Sequence, residues 1–276
     1  AGPLLAVSVN PPSFPPDLYD ADGATVLEEC WMGNRVPVFE SVLNPADSKQ
    51  VTFPEDIDSI DEALDRIASD ETVVPAELEP KGRFDDEFAH FRHKHGSFWR
   101  WVRPVFGGST RTNANARIEF RPLPGQPTIR GTISLLAVFA GLLESLPRRE
   151  HPVYQQSWET ARENFYAAVR DGLSAELSWI TADGTETTDT DELYAELFEL
   201  ARDGLELRGL DAGEANRYIQ PLRERVDRRM TPAQWKHDRV RTRMDAGEPF
   251  AQAIWGMQSD YTDAQSETLI NGTFLE

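Results

Sequence analysis

The stretch W-R-W-V-R-P-V-F-G-G-S-T-R-T-N-A-N-A-R-I-E-F-R-P-L-P-G-Q-P-T, residues 99–128, decides the fold prediction. Near its end, charged and apolar side chains alternate, which is typical of a β-strand at residues 116–121. Residues two apart on a strand share a face. The charged side chains are therefore expected on one face: Arg117, Glu119 and Arg121. The apolar side chains Ile118 and Phe120 are expected on the other face, in a core.

Further arginines surround this predicted strand. Arg100 and Arg103 lie just before it. Four arginines around the single carboxylate of Glu119 indicate a polyanion site, with phosphate as the expected anion and Glu119 free to hold a metal. An ordinary exposed strand with a cross-strand ladder of charges has the same pattern, so the structural alternative stays open.

A rigid proline-rich turn follows the strand, and the rest of the chain is helical in pattern. Thr128 is the expected N-cap of a long apolar helix over Ile129–Leu146. The later helices are predicted at Tyr154–Leu177, interrupted or bent near Gly172, and at Asp191–Leu207, Ala212–Arg228, Pro232–Asp245 and Pro249–Asp260. A polar loop is predicted at Thr181–Asp189. We expect an α+β chain with residues 1–150 as one region and residues 151–276 as a helical region packed on it.

The first region is less regular. Ala24–Met32 is predicted as a short helix, and Asp56–Ala68 as an amphipathic helix with apolar residues three or four apart. Arg35–Val42 reads as a strand or extended loop, and Pro37 would confine such a strand to the edge of a sheet.

Composition limits the classes of function. The net charge is −19 with four lysines in 276 residues, so a nucleic-acid partner, which needs a broad basic surface, is not expected. Such acidity indicates a halophilic source such as a haloarchaeon, where salt screens self-repulsion. The single cysteine, Cys30, fits a reducing, cytoplasmic location. The longest apolar run, Ile133–Leu146, is shorter than a membrane span, so no membrane association is expected.

Several motifs occur in the order found in a known family. They are W-x-R-P at Trp101, I-E-x-R at Ile118, a long apolar helix, and then A-R-E-N-F-Y-A-A-V-R-D-G-L-S-A-E over Ala161–Glu176. The opening L-L-A-V-S-V-N-P-P-S-F, residues 4–14, is similar to the family's L-x-A-x-S-x-N-S-P segment. Together these motifs resemble the carboxylate–amine ligases, which include the glutamate–cysteine ligases.

The resemblance implies a fold and a reaction. The fold would be the antiparallel sheet remnant of a glutamine-synthetase-like ligase followed by a helical C-terminal half. ATP would phosphorylate a carboxylate with the help of magnesium, and an amine would then attack the acyl phosphate. Glu119 matches the family's metal ligand and Arg121 its phosphate-binding arginine. Arg103 matches another arginine of that site, and Arg117 is expected to contact the nucleotide with them.

The resemblance also suggests substrate-binding residues. Arg35 matches an arginine loop that reaches the amino-acid substrate, glutamate or a similar amino acid, although a surface arginine would look the same. Asn164 and Arg170 lie in the family-like helix and are expected to contact the site from behind. Glu163 and Arg170 are two turns apart, so a structural ion network is the alternative.

The chain departs from the family pattern in its carboxylates. The family's G-x-E-x-E strand, whose glutamates bind most of the metal, is not found. We therefore expect a chain that lacks the N-terminal metal-binding half, or else a non-catalytic relative acting as a ligand-binding or interaction protein. A homo-oligomer is compatible with either. Three neighbouring histidines, His90, His93 and His95, could bind zinc, but the interleaved cations favour a polar segment instead.

Overall fold

The structure is a computed structural model and describes residues 1–14, 21–44, 49–82, 84–108, 110–270 and 272–274. The chain divides into two units. The helical unit comprises Ala1–Arg35 and Leu123–Glu276, and the hairpin unit comprises Val36–Pro122. Neither break coincides with the predicted boundary between residues 150 and 151, and that boundary stays a prediction.

The described residues are mostly helical, with two small antiparallel sheets, so the predicted α+β class is confirmed. In chain order, the elements are α1 (Gly2–Ser8), α2 (Gly23–Glu29), α3 (Arg35–Leu43), α4 (Ile60–Ser69), α5 (Ala89–Ser97), β1 (Val102–Gly107), β2 (Asn115–Phe120), α6 (Ile129–Arg148), α7 (Trp158–Asp171), β3 (Trp179–Ile180), β4 (Glu186–Thr187), α8 (Thr190–Leu207), α9 (Ala212–Asp227), α10 (Pro232–Asp245) and α11 (Phe250–Thr268).

Helix α6 is the centre of the helical unit. The Thr128 hydroxyl accepts a hydrogen bond from the Gly131 amide at 3.0 Å, which confirms the predicted N-cap. The inner face of α6 packs against α8 and α9. Gly141 and Gly204 allow α6 and α8 to approach backbone to backbone, because a Cβ on either glycine would overlap the other helix. By length and hydropathy α6 also qualifies as a candidate membrane span, and 39% of its most apolar 18-residue window is buried in the structure.

The hairpin unit is built around β1 and β2, which pair antiparallel with Arg103 opposite Glu119 and Val105 opposite Arg117. Arg103 and Val105, which lie on β1 opposite Glu119 and Arg117, are buried, whereas Arg117 itself is exposed. Ile118 is 67% exposed, and its predicted place in a core is wrong. The alternation predicts the strand, but polarity does not predict which face is covered, because the buried Arg103 on the partner strand lies opposite Glu119.

Other predicted elements change type or length. Residues 35–42 are helical, not extended, since α3 covers Arg35–Leu43 and Pro37 lies in its first turn, where proline is tolerated. The helix predicted over Tyr154–Leu177 begins later, at Trp158, and its predicted interruption near Gly172 is confirmed, because α7 ends at Asp171 and Gly172 has a positive φ of 58°. Helix α4 begins at Ile60, four residues after the predicted start, because Ser59 caps it.

Candidate functional site

The Glu119 carboxylate is the centre of the charged cluster in the hairpin unit. Its Oε2 atom accepts a hydrogen bond from Arg103 Nε at 2.6 Å and lies 3.8 Å from Arg121 Nη1. Partial burial by itself raises the pKa of Glu119. The hydrogen bond from Arg103 and the charges of Arg103, Arg121 and Arg117 outweigh this effect and lower the pKa below its usual 4.5. Glu119 is therefore ionised at neutral pH, next to three guanidinium groups.

Arg103 uses its donors to hold the hairpin unit together. In addition to its bond to Glu119, Arg103 Nη1 donates to the carbonyl oxygens of His95 and Phe98, at 2.9 and 2.5 Å. The side chain is buried. These three bonds tie β1 and β2 to the end of α5, so Arg103 positions the cluster and offers few donors to a ligand.

Arg121 and Arg117 differ from Arg103 in their accessibility. The Arg121 side chain is 27% exposed, and its guanidinium lies 5.4 Å from the centre of the Trp99 ring. Arg117 is exposed on β2. In the part of the chain that the structure describes, neither guanidinium donates a hydrogen bond within 3.5 Å. Arg117 and Arg121 therefore have guanidinium donors available beside the paired Glu119 carboxylate, and they make a site for an anion such as phosphate.

Arg100 does not belong to this cluster, which corrects the prediction of four arginines around one carboxylate. Its Nε and Nη2 atoms donate to the Glu55 carboxylate at 2.8–3.0 Å. Its Nη1 atom donates to the carbonyl oxygens of Lys49 and Gln50, both at 2.8 Å. Glu55 is 45 residues away in sequence, and no spacing rule connects it to Arg100.

A magnesium site does not form from these residues alone. Mg²⁺ is held in proteins through carboxylates together with phosphate oxygens and water. Among the described residues there is no group of three or more His, Cys, Asp or Glu side chains that could hold a metal ion. One oxygen of Glu119 is bonded to Arg103, and the arginines around it would repel a cation. The donor set fits an anion and does not fit magnesium.

The histidine segment supports the alternative to zinc binding. His95 Nε2 lies 3.2 Å from the Pro104 carbonyl oxygen, and the ring stacks on Phe91. His93 Nε2 contacts the Val74 carbonyl oxygen. These rings serve the packing of α5 in the hairpin unit, as the polar-segment interpretation predicts.

The predicted substrate residues lie outside the hairpin unit. Arg35 begins α3, Asn164 and Arg170 lie in α7, and all three belong to the helical unit. The Asn164 Nδ2 atom donates to the Ser178 carbonyl oxygen at 2.7 Å, and Asn164 Oδ1 accepts from the Ser178 amide at 2.9 Å. Arg170 pairs with the adjacent Asp171 at 2.7 Å and not with Glu163. The substrate roles of these residues stay predictions.

Comparison with known families decides the class of the protein. The family model for glutamate–cysteine ligase family 2 matches residues 1–258. The chain belongs to glutamate–cysteine ligase family 2. This confirms the resemblance to the carboxylate–amine ligases. Searches of curated proteins and of solved structures find no match to this family 2 chain.

Two buried cations in the helical unit of this family 2 member are not among the residues predicted from the sequence. Lys236 Nζ lies 3.1 Å from Asn10 Oδ1 and 3.9 Å from the centre of the Tyr261 ring. Burial lowers the pKa of Lys236 to about 8. Burial likewise lowers the pKa of Arg225 to about 10. The helical spacing predicts the burial of Lys236. It lies three residues after Ala233 and four before Val240, on the face of α10 that is buried.

Proposed function

We propose that the chain is part of an ATP-dependent carboxylate–amine ligase in which Arg117 and Arg121 bind an anionic phosphate group. Family 2 membership supports the ligase class. The observation that carries the assignment is the net positive cluster on the β1–β2 hairpin, where a paired Glu119 is surrounded by the guanidinium groups of Arg103, Arg117 and Arg121. Guanidinium groups recognise phosphate oxygens and neutralise the charge that is transferred.

The proposed reaction has two steps. A substrate carboxylate oxygen attacks the γ-phosphorus of ATP, and ADP leaves with the electron pair of the broken bond. The amine nitrogen then attacks the acyl carbon, inorganic phosphate leaves, and an amide forms after loss of a proton from nitrogen. Positioning and charge neutralisation are the main requirements of phosphoryl transfer.

Each residue of the cluster has a role in this proposal. Arg121 and Arg117 contact the phosphate oxygens through their guanidinium donors. Glu119 keeps Arg121 in place through its charge, and Arg103 positions Glu119. Because Glu119 does not fit magnesium, we place the magnesium ligands outside the described residues.

The substrates proposed from family membership are small molecules. Glutamate or a similar amino acid would supply the carboxylate, with Arg35, Asn164 and Arg170 as proposed contacts. The single cysteine supports a cytoplasmic location.

Release of ADP tests the proposal. The full-length gene product is incubated with ATP, magnesium, glutamate and a panel of amines. We expect ADP release that depends on the amine and falls about 100-fold in Arg121→Met, the loss typical of removing one transition-state donor. Lys81→Met, an exposed cation of the same unit, is the matched control and should keep full activity. The proposal fails if no amine elicits ADP and Glu119→Ala behaves like the wild type.

One observation favours a second candidate function. Glu119 is paired with Arg103 and surrounded by arginines, so the cluster fits an anion and not magnesium, as expected for a non-catalytic relative that binds a nucleotide or an amino acid. Calorimetry separates the two candidates. Binding of ATP or glutamate by the full-length gene product without ADP release would support the second.

A further inference from the structure

Arg225 in α9 is a buried cation that contacts no carboxylate among the described residues. Its side chain is buried, with 4% of the residue exposed. Its Nη1 atom donates to the Val7 carbonyl oxygen at 3.2 Å and to Gln126 Oε1 at 2.7 Å, and both acceptors are neutral. Over the described ranges, its Nε and Nη2 atoms donate no hydrogen bond. Because a buried charge is normally paired, this guanidinium lacks a negative partner.

The Nη2 atom of Arg225 points to the beginning of α6. A Cβ atom on Gly131, in the first turn of that helix, would lie 3.1 Å from Nη2. The N-terminus of a helix carries about half a positive charge, and α6 is 20 residues long. A guanidinium group and the positive end of a helix dipole therefore meet in the interior of the helical unit. Two positive groups in such a place attract an anion.

A small cavity lies where these two groups meet. Its lining includes Thr128 and Gly131 at the start of α6, Glu224 and Arg225 of α9, and Thr273 near the end of the described chain. The cavity has a volume of about 10 Å³, which is about the space that one bound water requires. A monatomic anion is close to that size. Phosphate, sulfate and carboxylate groups have several heavy atoms and are too large.

Glu224 is the carboxylate in the lining of the cavity, but it does not compensate Arg225. In the described part of the chain the two side chains form no ion pair, and Glu224 Oε1 instead accepts a hydrogen bond from Gln220 Nε2 at 3.0 Å. Burial lowers the pKa of Arg225 to about 10, and Glu224 does not counteract this shift. Arg225 is therefore charged at neutral pH. The chain has 47 acidic side chains, so carboxylates are not scarce.

We propose that the cavity binds a chloride ion between Arg225 Nη2 and the N-terminus of α6. The ion supplies the negative charge that the guanidinium lacks, and it is stabilised by the helix dipole. Because the folded chain binds the ion and the unfolded chain does not, chloride stabilises the helical unit by mass action. The site uses neither Arg117 nor Arg121, so it is independent of the proposed ligase reaction.

The linewidth of the chloride NMR signal measures binding directly, because chloride that exchanges with a protein site relaxes faster than free chloride. We expect the purified chain to broaden the signal, bromide to compete, and the larger gluconate anion to have no effect. Arg225→Met should reduce the broadening at least about 10-fold, the loss of one charge-assisted hydrogen bond. Arg217→Met is the matched control on the same helix, since its side chain is 75% exposed and lies outside the cavity.

A second variant tests the cavity without removing the charge. The added methyl group of Gly131→Ala would lie 3.1 Å from both Arg225 Nη2 and Thr128 Oγ1, in the space that we assign to the ion. Alanine is also the better helix former, so we expect this variant to fold. It should reduce the broadening about as much as Arg225→Met, and it decides the test if circular dichroism shows that Arg225→Met has lost helix.

Thermal unfolding in sodium chloride and in sodium gluconate, at equal ionic strength, tests the effect on stability. We expect the wild type and Arg217→Met to unfold at a higher temperature in chloride, and Gly131→Ala to unfold at the same temperature in both salts. Equal unfolding temperatures for the wild type would overturn the proposal. So would a wild type that does not broaden the chloride signal, or broadening that survives in both cavity variants.

One further substitution separates a bound ion from a pairing of Arg225 with Glu224. Glu224→Gln removes a negative charge from the cavity wall and should increase the affinity for chloride. A decrease in chloride affinity would contradict the proposal, because it would identify the Glu224 carboxylate as part of the structure that Arg225 needs.

Discussion

The two units bury cations in different ways. In the hairpin unit, Arg100 and Arg103 each contact a carboxylate. In the helical unit, the contacts of the buried cations among the described residues are to neutral oxygens. Arg225 donates to the Val7 carbonyl oxygen and to Gln126 Oε1, and Lys236 donates to Asn10 Oδ1. The pKa values of Arg225 and Lys236 are lowered accordingly.

The partner of each cation distinguishes arginines that support the structure from arginines that can bind a ligand. A carboxylate that compensates a buried arginine is no longer available to a metal, and Glu119 is in that position. The other two arginines near Glu119, Arg117 and Arg121, are available to attract an anion. In the helical unit Arg225 and Lys236 contact neutral oxygens, so we expect the cost of burying their charge to reduce stability.

The largest expected effect is a loss of stability when the ion pair between Arg103 and Glu119 is broken. Arg103→Met should lower the free energy of unfolding of the hairpin unit by about 3 kcal/mol, because it leaves Glu119 and two carbonyl oxygens without their donor. Glu119 is 40% exposed, which keeps the loss below that of a fully buried pair. Arg117→Met on the opposite strand is the control and should change stability by less than about 0.5 kcal/mol. Urea denaturation measures both, and equal effects would remove the distinction between the two arginines.

Removing a buried cation that has no carboxylate contact among the described residues should instead raise stability. Lys236→Met should stabilise the helical unit at pH 7. The shift from 10.5 to about 8 corresponds to about 3 kcal/mol, and the lost contacts with Asn10 and Tyr261 reduce the net gain to about 1–2 kcal/mol.

The same lysine predicts a pH dependence. Between pH 8 and 10.5 the unfolded state binds more protons at Lys236 than the folded state, so this residue makes wild-type stability rise with pH across that window. The difference between wild type and Lys236→Met should shrink from pH 8 upward. Thermal unfolding at a series of pH values measures it, with Lys81→Met as the exposed control. A difference independent of pH would contradict the burial of a charged lysine.

A smaller effect is expected on the acid side of neutrality. Burial lowers the pKa of His151 below 6.5, although Glu196 opposes the shift. The unfolded state therefore binds more protons at His151 as pH falls below about 6.5, and folded stability declines there. His151→Gln should lose less stability than the wild type between pH 7 and 5, whereas His90→Gln on the exposed side of α5 should follow the wild type. Parallel curves for wild type and His151→Gln would show that His151 does not contribute.

Local signals in the sequence predicted much of the helical unit. Helix α10 begins and ends where it was predicted, since Thr231 caps it and Pro232 occupies its first position. The family resemblance over the first 180 residues was sufficient to recognise the ligase class, which the family model confirms. These features depend on neighbours in sequence or on motif order, and both can be read from one chain.

The hairpin unit was predicted less well because its contacts are not local. The alternation around Ile118 fixed a strand but not the face that is covered, since that depends on Arg103 in the partner strand. The bond between Arg100 and Glu55 joins residues 45 positions apart. Residues 35–42 are predicted as a strand or extended loop, but the segment is a helix in the structure. No rule about residue spacing anticipates these contacts.

The central claim is that Arg117 and Arg121 bind phosphate while Arg103 supports the hairpin. The most direct test is isothermal titration of the chain with ATP, comparing the wild type, Arg117→Met and Arg121→Met. We predict that each substitution weakens ATP binding about 10-fold, the loss of one charge-assisted hydrogen bond, and leaves the unfolding free energy unchanged within about 0.5 kcal/mol. Equal ATP affinity in all three proteins would contradict the claim.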